Sequence, residues 1–378
     1  MNDTKEITRE QVTKDILELS NNNILAELPT SMGKTKIALE WLKKYHKKNT
    51  PILIAVPTNV LKQNWVMEIG KWDCEYLLKD ITFTTYVSLP KHIAKQSWTE
   101  GILDEVHHLS DRCIDAIQNS DNTFNKVLGL SATVSITKKY ELKETFSNLY
   151  IYSVSLRDAI NSDILPDPKV LLLPLELDNI NKSCTIYNRY KKTSYVASPL
   201  QFYNDMSGLI DWYKKKHMDN RMLRASLDRL IWLSEQKEQS TKEILSILKN
   251  YRTLTFCSSI AQTKKLGKYC INSKNKQVNE YIELFNLKKI KHITACQMLN
   301  EGISLSDCRI GIFNMLNSSN LIQTQKNGRI LRHQSPILII PYFINTVEER
   351  NVNKMLENYN KDLIKTITIN QLKNEICN

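Results

Sequence analysis

The sequence predicts an α/β protein made of two parallel-sheet lobes with a helical insertion or connection, and three observations carry this. Short apolar runs alternate with amphipathic stretches in both halves of the chain, the pattern of a parallel sheet covered by helices. The 378 residues exceed the usual reach of one hydrophobic core and suit two domains. The first apolar run leads through a tight loop, Gly33-Lys34-Thr35, into a helical stretch.

In the N-terminal half the strand candidates are Ile24–Leu28, Ile52–Val56, Ile81–Val87, Gly101–Leu103 and Val127–Leu130. Helix-like segments such as Lys34–Lys44 and Leu61–Trp72 lie between them. Val170–Leu177 reads as a further strand. Pro166 and Pro168 precede it and interrupt any helix, so a boundary is expected there. Residues from about 183 to 250 read as helical, with Tyr187, Tyr190, Trp212, Tyr213 and the basic run Lys214, Lys215 and Lys216; they suit a solvated surface or a face toward nucleic acid. Thr253–Cys257, His292–Ala295, Ile310–Met315 and Ile337–Ile340 are the strand candidates of the second alternating region. The expected organisation is therefore 1–168 as an N-terminal lobe, 169–250 as a strand and helical segment opening the second, and 251–378 as the C-terminal lobe and tail.

Hydrophobic residues at 42% and charged residues at 24% fit a globular chain rather than a disordered one. The net charge of +12 favours a polyanionic partner, because phosphate contacts release counterions. The cysteines form no CxxC pair and suit buried thiols in a reducing compartment. The polar first residues lack an apolar core of a signal peptide, and no run approaches 18 apolar residues. A cytoplasmic protein without a membrane span is expected; the Asn, Lys and Ile content and small size would suit a phage or other mobile element, hence a host cytoplasm.

Two segments carry chemistry. In Ile24–Thr35, Gly33 allows close backbone approach to a phosphate, and the following helix N-terminus offers free N–H groups. Lys34 has the reach for β- and γ-phosphates and Thr35 has a hydroxyl for Mg²⁺. The general phosphate-loop pattern has glycine where this chain has Leu28. The second segment is Gly101–Leu109, with Asp104 and Glu105 after a buried run. Buried charges there are costly unless used: Asp104 would hold Mg²⁺ and Glu105 would polarise a water. A helix cap is the plain alternative for the pair. A zinc site with His107 and His108 lacks both the HExxH spacing and a distant ligand.

Taken in order, these motifs resemble those of the superfamily 2 helicases, the DExH group with two RecA-like lobes. The resemblance spans residues 9 to 350. Leu28–Thr35 resembles the first motif, departing at Leu28, Ser31 and Met32, and Gln11 resembles the upstream glutamine that reads adenine. Val56–Trp65 and Thr84–Leu89 resemble backbone-gripping motifs, with Thr58, Thr85 and Ser88 as the implied contacts. Asp104-Glu-Val-His107 matches the DExH box, and Ser131-Ala-Thr133 the coupling motif; His107, Ser131 and Thr133 are the implied couplers. LRDAINSDI at 156–164 is similar to a short helix of relatives acting on duplex or branched DNA. From the second lobe, Phe256–Ser259 and Thr294 imply further strand contacts, with Ser258 and Thr294 carried over. Glu301–Leu305 resembles the fifth motif, with Gly302 in its tight loop. Gln325-Lys-Asn-Gly-Arg-Ile-Leu-Arg332 matches QxxGRxxR, so Gln325, Arg329 and Arg332 are implied to reach the γ-phosphate on lobe closure.

The resemblance implies ATP and Mg²⁺ as ligands and a nucleic-acid partner. DNA, whether single-stranded, duplex or branched, is the first expectation, in a helicase or translocase. RNA remodelling is the alternative, and a non-catalytic clamp on the same fold another. No nuclease motif of the D…ExK type is evident, so cleavage or loading would fall to a separate protein partner.

Overall fold

The computed structural model describes residues 7–19, 23–122, 124–188, 193–296, 305–316, 330 and 332–377. They pack as two compact units. The first comprises the described residues up to 167 together with 330 and 332–334, and the second comprises the rest.

The first unit carries strands β1 (Asn23–Glu27), β2 (Ile52–Val56), β3 (Ile81–Thr85), β4 (Trp98–Asp104), β5 (Phe124–Ser131) and β6 (Leu149–Ser153). They form one sheet in the order β3-β2-β4-β5-β1-β6, and every pairing is parallel. Helices α1 (Arg9–Glu18), α2 (Lys34–Tyr45), α3 (Asn59–Lys71), α4 (Leu89–Ile93), α5 (Asp111–Gln118), α6 (Ile136–Thr145) and α7 (Leu156–Asn161) supply the connections. Interior strands of such a sheet are covered on both faces, which is why Ile52–Val56 is uniformly apolar and uniformly buried. Leu25, Leu53, Leu103 and Val127 from four strands meet Leu89, Ile114 and Leu142 from helices in one cluster. Gly101 is needed where β4 meets β5: a Cβ there would stand 2.5 Å from Phe124 Cδ1.

The second unit holds a seven-stranded sheet in the order β11-β12-β10-β13-β14-β7-β15. Its strands are β7 (Lys169–Leu175), β10 (Thr253–Phe256), β11 (Cys270–Ile271), β12 (His292–Ala295), β13 (Ile310–Phe313), β14 (Ile337–Phe343) and β15 (Ile364–Thr366). All their pairings are parallel. β7 and β14 are far apart in sequence yet run side by side over seven residue pairs, Lys169↔Ile337 to Leu175↔Phe343. The stretch expected to be helical throughout opens instead with an antiparallel hairpin, β8 (Cys184–Asn188) and β9 (Thr193–Ala197). Its Thr, Ile, Tyr and Val content suits strands, and Cys184 pairs with Ala197 outside both large sheets. Helices α8 (Pro199–Lys215), α9 (Asp219–Gln236) and α10 (Glu238–Ile247) then follow.

A buried polar network fixes these helices to the second sheet. Lys237, between α9 and α10, has a fully buried side chain and meets the fully buried Glu348 at 2.6 Å. Its Nζ also donates to the Pro341 carbonyl at 3.1 Å. Burial lowers the lysine's pKa, and Glu348 opposes that shift. Beside it, Thr241 Oγ1 donates to Asn314 Oδ1, Asn314 Nδ2 donates to the Ser234 carbonyl, and Gln262 Nε2 donates to the same carbonyl. The cysteines at 74, 113, 184, 257, 270, 296 and 308 are free and buried. Among the described residues no helix is long and apolar enough to cross a membrane.

Candidate nucleotide site

The carboxyl edge of the first sheet builds the site. β1, β5 and β4 are adjacent, so the loops that follow them converge, as ligand sites of parallel sheets do. β1 ends at Glu27; the Leu28 N–H then donates to the Ser131 carbonyl at the end of β5 over 2.8 Å. The chain turns through Ser31 and Gly33, both at positive φ (76° and 86°), and enters α2. Gly33 is the N-cap and offers no side chain to the first helical N–H groups, which leaves that end suited to an anion. A Cβ on Gly33 would meet nothing within 4 Å, so its backbone faces open space. Thr30 Oγ1 in the same loop is buried without a hydrogen-bond partner. An unmatched hydroxyl, an uncapped helix start and Lys34 with Thr35 in its first turn together fit a phosphate group and its metal ion.

β4 ends at Asp104, and Glu105 follows in the left-handed region at φ 51°. Non-glycine residues seldom adopt that conformation, and such strain gathers at functional sites. Lys34 Nζ lies 3.1 Å from Glu105 Oε1, both side chains being largely buried. Asp104 is buried, and its pKa is pushed up to about 6, first by burial and then by the neighbouring charge of Glu105. Lys34 and a hydrogen bond from Trp65 act in the opposite direction. Trp65 Nε1 donates to Asp104 Oδ2 at 2.9 Å. His107, in the 3-10 turn Val106–His108, places Nδ1 2.9 Å from Ser131 Oγ and 3.6 Å from Glu105 Oε2. Ser131 Oγ in turn donates to the Thr133 carbonyl at 3.1 Å.

These groups line or adjoin a cleft of about 1370 Å³ that includes Gly33, Lys34, Thr35, Asp104 and Glu105. Arg332 also reaches it: the residue packs with the first unit, and its Nε donates to Ser31 Oγ at 3.2 Å. Gln11 does not line the cleft. Its Nε2 donates to Asp15 Oδ1 at 2.6 Å on an exposed surface, while Arg9, Glu10 and Thr13 of the same helix line the cleft. Arg9 Nη2 donates to the Ile164 carbonyl at 3.0 Å.

The candidate strand contacts divide. Thr58 is exposed at the N-cap of α3, just past β2, with no side-chain cap bond. Thr85 ends the adjacent β3 and Ser88 is the N-cap of α4, both half-buried, so all three share one sheet edge. Ser258 and Thr294 of the second unit are buried. Ser258 Oγ is engaged with Gln262 Oε1 at 3.1 Å and Thr294 Oγ1 donates to the Thr263 carbonyl at 3.0 Å. Both hydroxyls are thus engaged within the second unit, Ser258 in the loop after β10 and Thr294 within β12. Gly302, Gln325 and Arg329 lie outside the described residues. Residue types and spacing gave no sign of Trp65 or Glu27. Glu27 accepts from the Val134 N–H at 2.8 Å and from Lys139 and Ser153, clamping the loop after β5 to the strand that precedes the phosphate loop.

Comparison with known proteins gives the class first. The two parallel-sheet lobes with helical connections share their fold with solved structures, one of them a helicase domain. A structure of S. cerevisiae Dbp5 bound to RNA and ADP BeF3 aligns over 97% of this chain and 90% of its own, at 11% identity and a TM-score of 0.65. The Pyrococcus furiosus Hef helicase domain aligns over 91% of this chain and 97% of its own, at 15% identity and a TM-score of 0.52. More particularly, the family described as the type III restriction enzyme res subunit matches residues 5–136, which include Gly33, Lys34, Thr35, Asp104 and Glu105. No curated protein matches the sequence.

Proposed function

We propose that the chain is an ATP-driven motor on nucleic acid, and the observation that carries the reading is the meeting of Lys34, Asp104 and Glu105 in one cleft. Lys34 and Thr35 bind the phosphates, aided by the N–H groups at the start of α2. Asp104, with Thr35, would hold Mg²⁺, which supplies charge neutralisation between the phosphate oxygens. Glu105 orients and polarises the attacking water, and its Oε1 lies 3.1 Å from Lys34 Nζ, so the base and the phosphate-binding lysine share one site. Arg332, beside Ser31, faces charge developing on the transferred group, and the QxxGRxxR resemblance implies the same role for Arg329 and Gln325. Arginines in that role are worth about 10³–10⁵ in rate in related phosphoryl transfer. His107, Ser131 and Thr133 pass the state of the site to the loop after β5. Thr58, Thr85 and Ser88 contact the strand's backbone, so sequence preference is weak and binding falls with salt.

RNA is the substrate to test first. The fold match with the higher TM-score is to a protein bound to RNA, while the family match to a restriction enzyme subunit supports the DNA reading as second. The test is phosphate release without polynucleotide and with single-stranded RNA, duplex RNA, single-stranded DNA, duplex DNA or forked DNA. Stimulated hydrolysis is expected, with loss in Lys34→Ala and Glu105→Gln but retained polynucleotide binding. Wild-type turnover in Glu105→Gln would end the assignment of the water-activating base. An unstimulated or inactive wild type would favour a clamp.

A further inference from the structure

We propose that Trp65 is a positioning residue for the Asp104 carboxylate, and that through it helix α3 and the metal-binding acid move as one body. The inference rests on the nucleotide-site reading above. Trp65 is 1% exposed, and its indole N–H has a single partner to satisfy, found in Asp104 Oδ2 at 2.9 Å across 39 residues of sequence. An indole nitrogen only donates and a carboxylate only accepts, so the bond has one polarity. It is charge-assisted when Asp104 is ionised, which makes it stronger than a neutral bond. Asp104 needs that support: it is buried and stands beside Glu105. The ring itself lines the nucleotide cleft, so it sits at the site rather than behind it.

Packing fixes the donor. Leu61, Trp65 and Ile69 are the buried residues of α3 and recur every four positions, so the ring is anchored along the helix's inner face. The same helix begins at Thr58, the exposed candidate strand contact. The bond therefore ties the carboxylate to a rigid rod whose other end faces the strand edge. A carboxylate free to rotate would present its second oxygen to a metal in several geometries, and outer donors of this kind are worth about 10–100-fold in metal affinity.

The test is Trp65→Phe, which keeps an aromatic ring but removes the donor together with part of the indole's buried volume. Binding of a fluorescent ADP analogue is measured as Mg²⁺ is titrated. Expected is a midpoint for Mg²⁺ raised about tenfold or more, with metal-free ADP affinity within twofold of wild type. A packing role alone would not move the metal-dependent part. An unchanged Mg²⁺ midpoint overturns the proposal. Failure of wild type to bind the analogue at all would sink the nucleotide site, which is a separate result. Should Trp65→Phe not fold, wild type labelled with 5-fluorotryptophan answers the question. The Trp65 ¹⁹F signal, assigned by paramagnetic Mn²⁺ broadening and told apart from Trp72, which lines the same cleft, with Trp72→Phe, should shift on adding Mg²⁺·ADP and not on ADP alone. The absence of a metal-dependent shift overturns it equally.

Discussion

Gly33→Ala separates the two demands on the phosphate loop. Gly33 sits at φ 86°, where an L side chain costs roughly 1–2 kcal/mol. No atom lies within 4 Å of the added Cβ, so there is no steric part to that cost. For a unit of this size the loss corresponds to a Tm lowered by about 2–8 °C. Nucleotide binding should suffer independently, because the open space that tolerates the methyl is the space the backbone offers to phosphate. A tenfold weaker affinity, about 1.4 kcal/mol, is the smallest effect expected. The assays are a thermal melt and a titration with fluorescent ADP on the same preparation. Two results would refute the reasoning. A Tm loss well beyond about 10 °C would mean that the position is sterically closed. An unchanged ADP affinity would mean that the loop is not a phosphate cradle.

Other predictions address the second unit. Lys237→Met should destabilise by roughly 3–5 kcal/mol, since it leaves Glu348 charged and fully buried. Adding Glu348→Gln should recover most of that loss, because an amide oxygen can still accept from the Phe343 N–H; urea unfolding of the single and double variants checks both. His292 gives a pH signature. Burial lowers its pKa from 6.5 to about 4, so the folded state refuses a proton that the unfolded chain takes up. Stability from this site is present above pH 6.5 and is lost as pH falls toward 4, about 2 kcal/mol of it by pH 5. His292→Gln should show a correspondingly shallower decline in urea midpoint between pH 7 and pH 5; an equal decline would exclude His292 as the source.

The strands most legible in the sequence were those covered on both faces. Ile52–Val56 is legible to the residue, because a buried parallel strand has a continuous apolar run. β6 was missed: it is an edge strand whose residues are half-buried or exposed, so its burial imposes no clear pattern. The hairpin β8–β9 is not legible, because the aromatic and basic composition around it says nothing of strand pairing. Ser258 and Thr294 show a different limit. Their positions were legible, but whether a hydroxyl after or within a strand faces solvent or a neighbouring helix depends on packing from residues such as Gln262 and Thr263.

By itself the sequence determined two parallel sheets, and the local chemistry of the loops after β1, β4 and β5. Those features depend on neighbours in the chain: apolar runs bury, glycine permits a positive φ, and an acidic pair follows a buried strand. Only the tertiary structure decided that Lys34 meets Glu105, that Gln11 stands outside the cleft, and that Trp65 holds Asp104. The physical reason is that parallel strands adjacent in space are separated in sequence by whole crossover helices. The order β4-β5-β1 brings three distant loops to one edge, and no local pattern encodes that order.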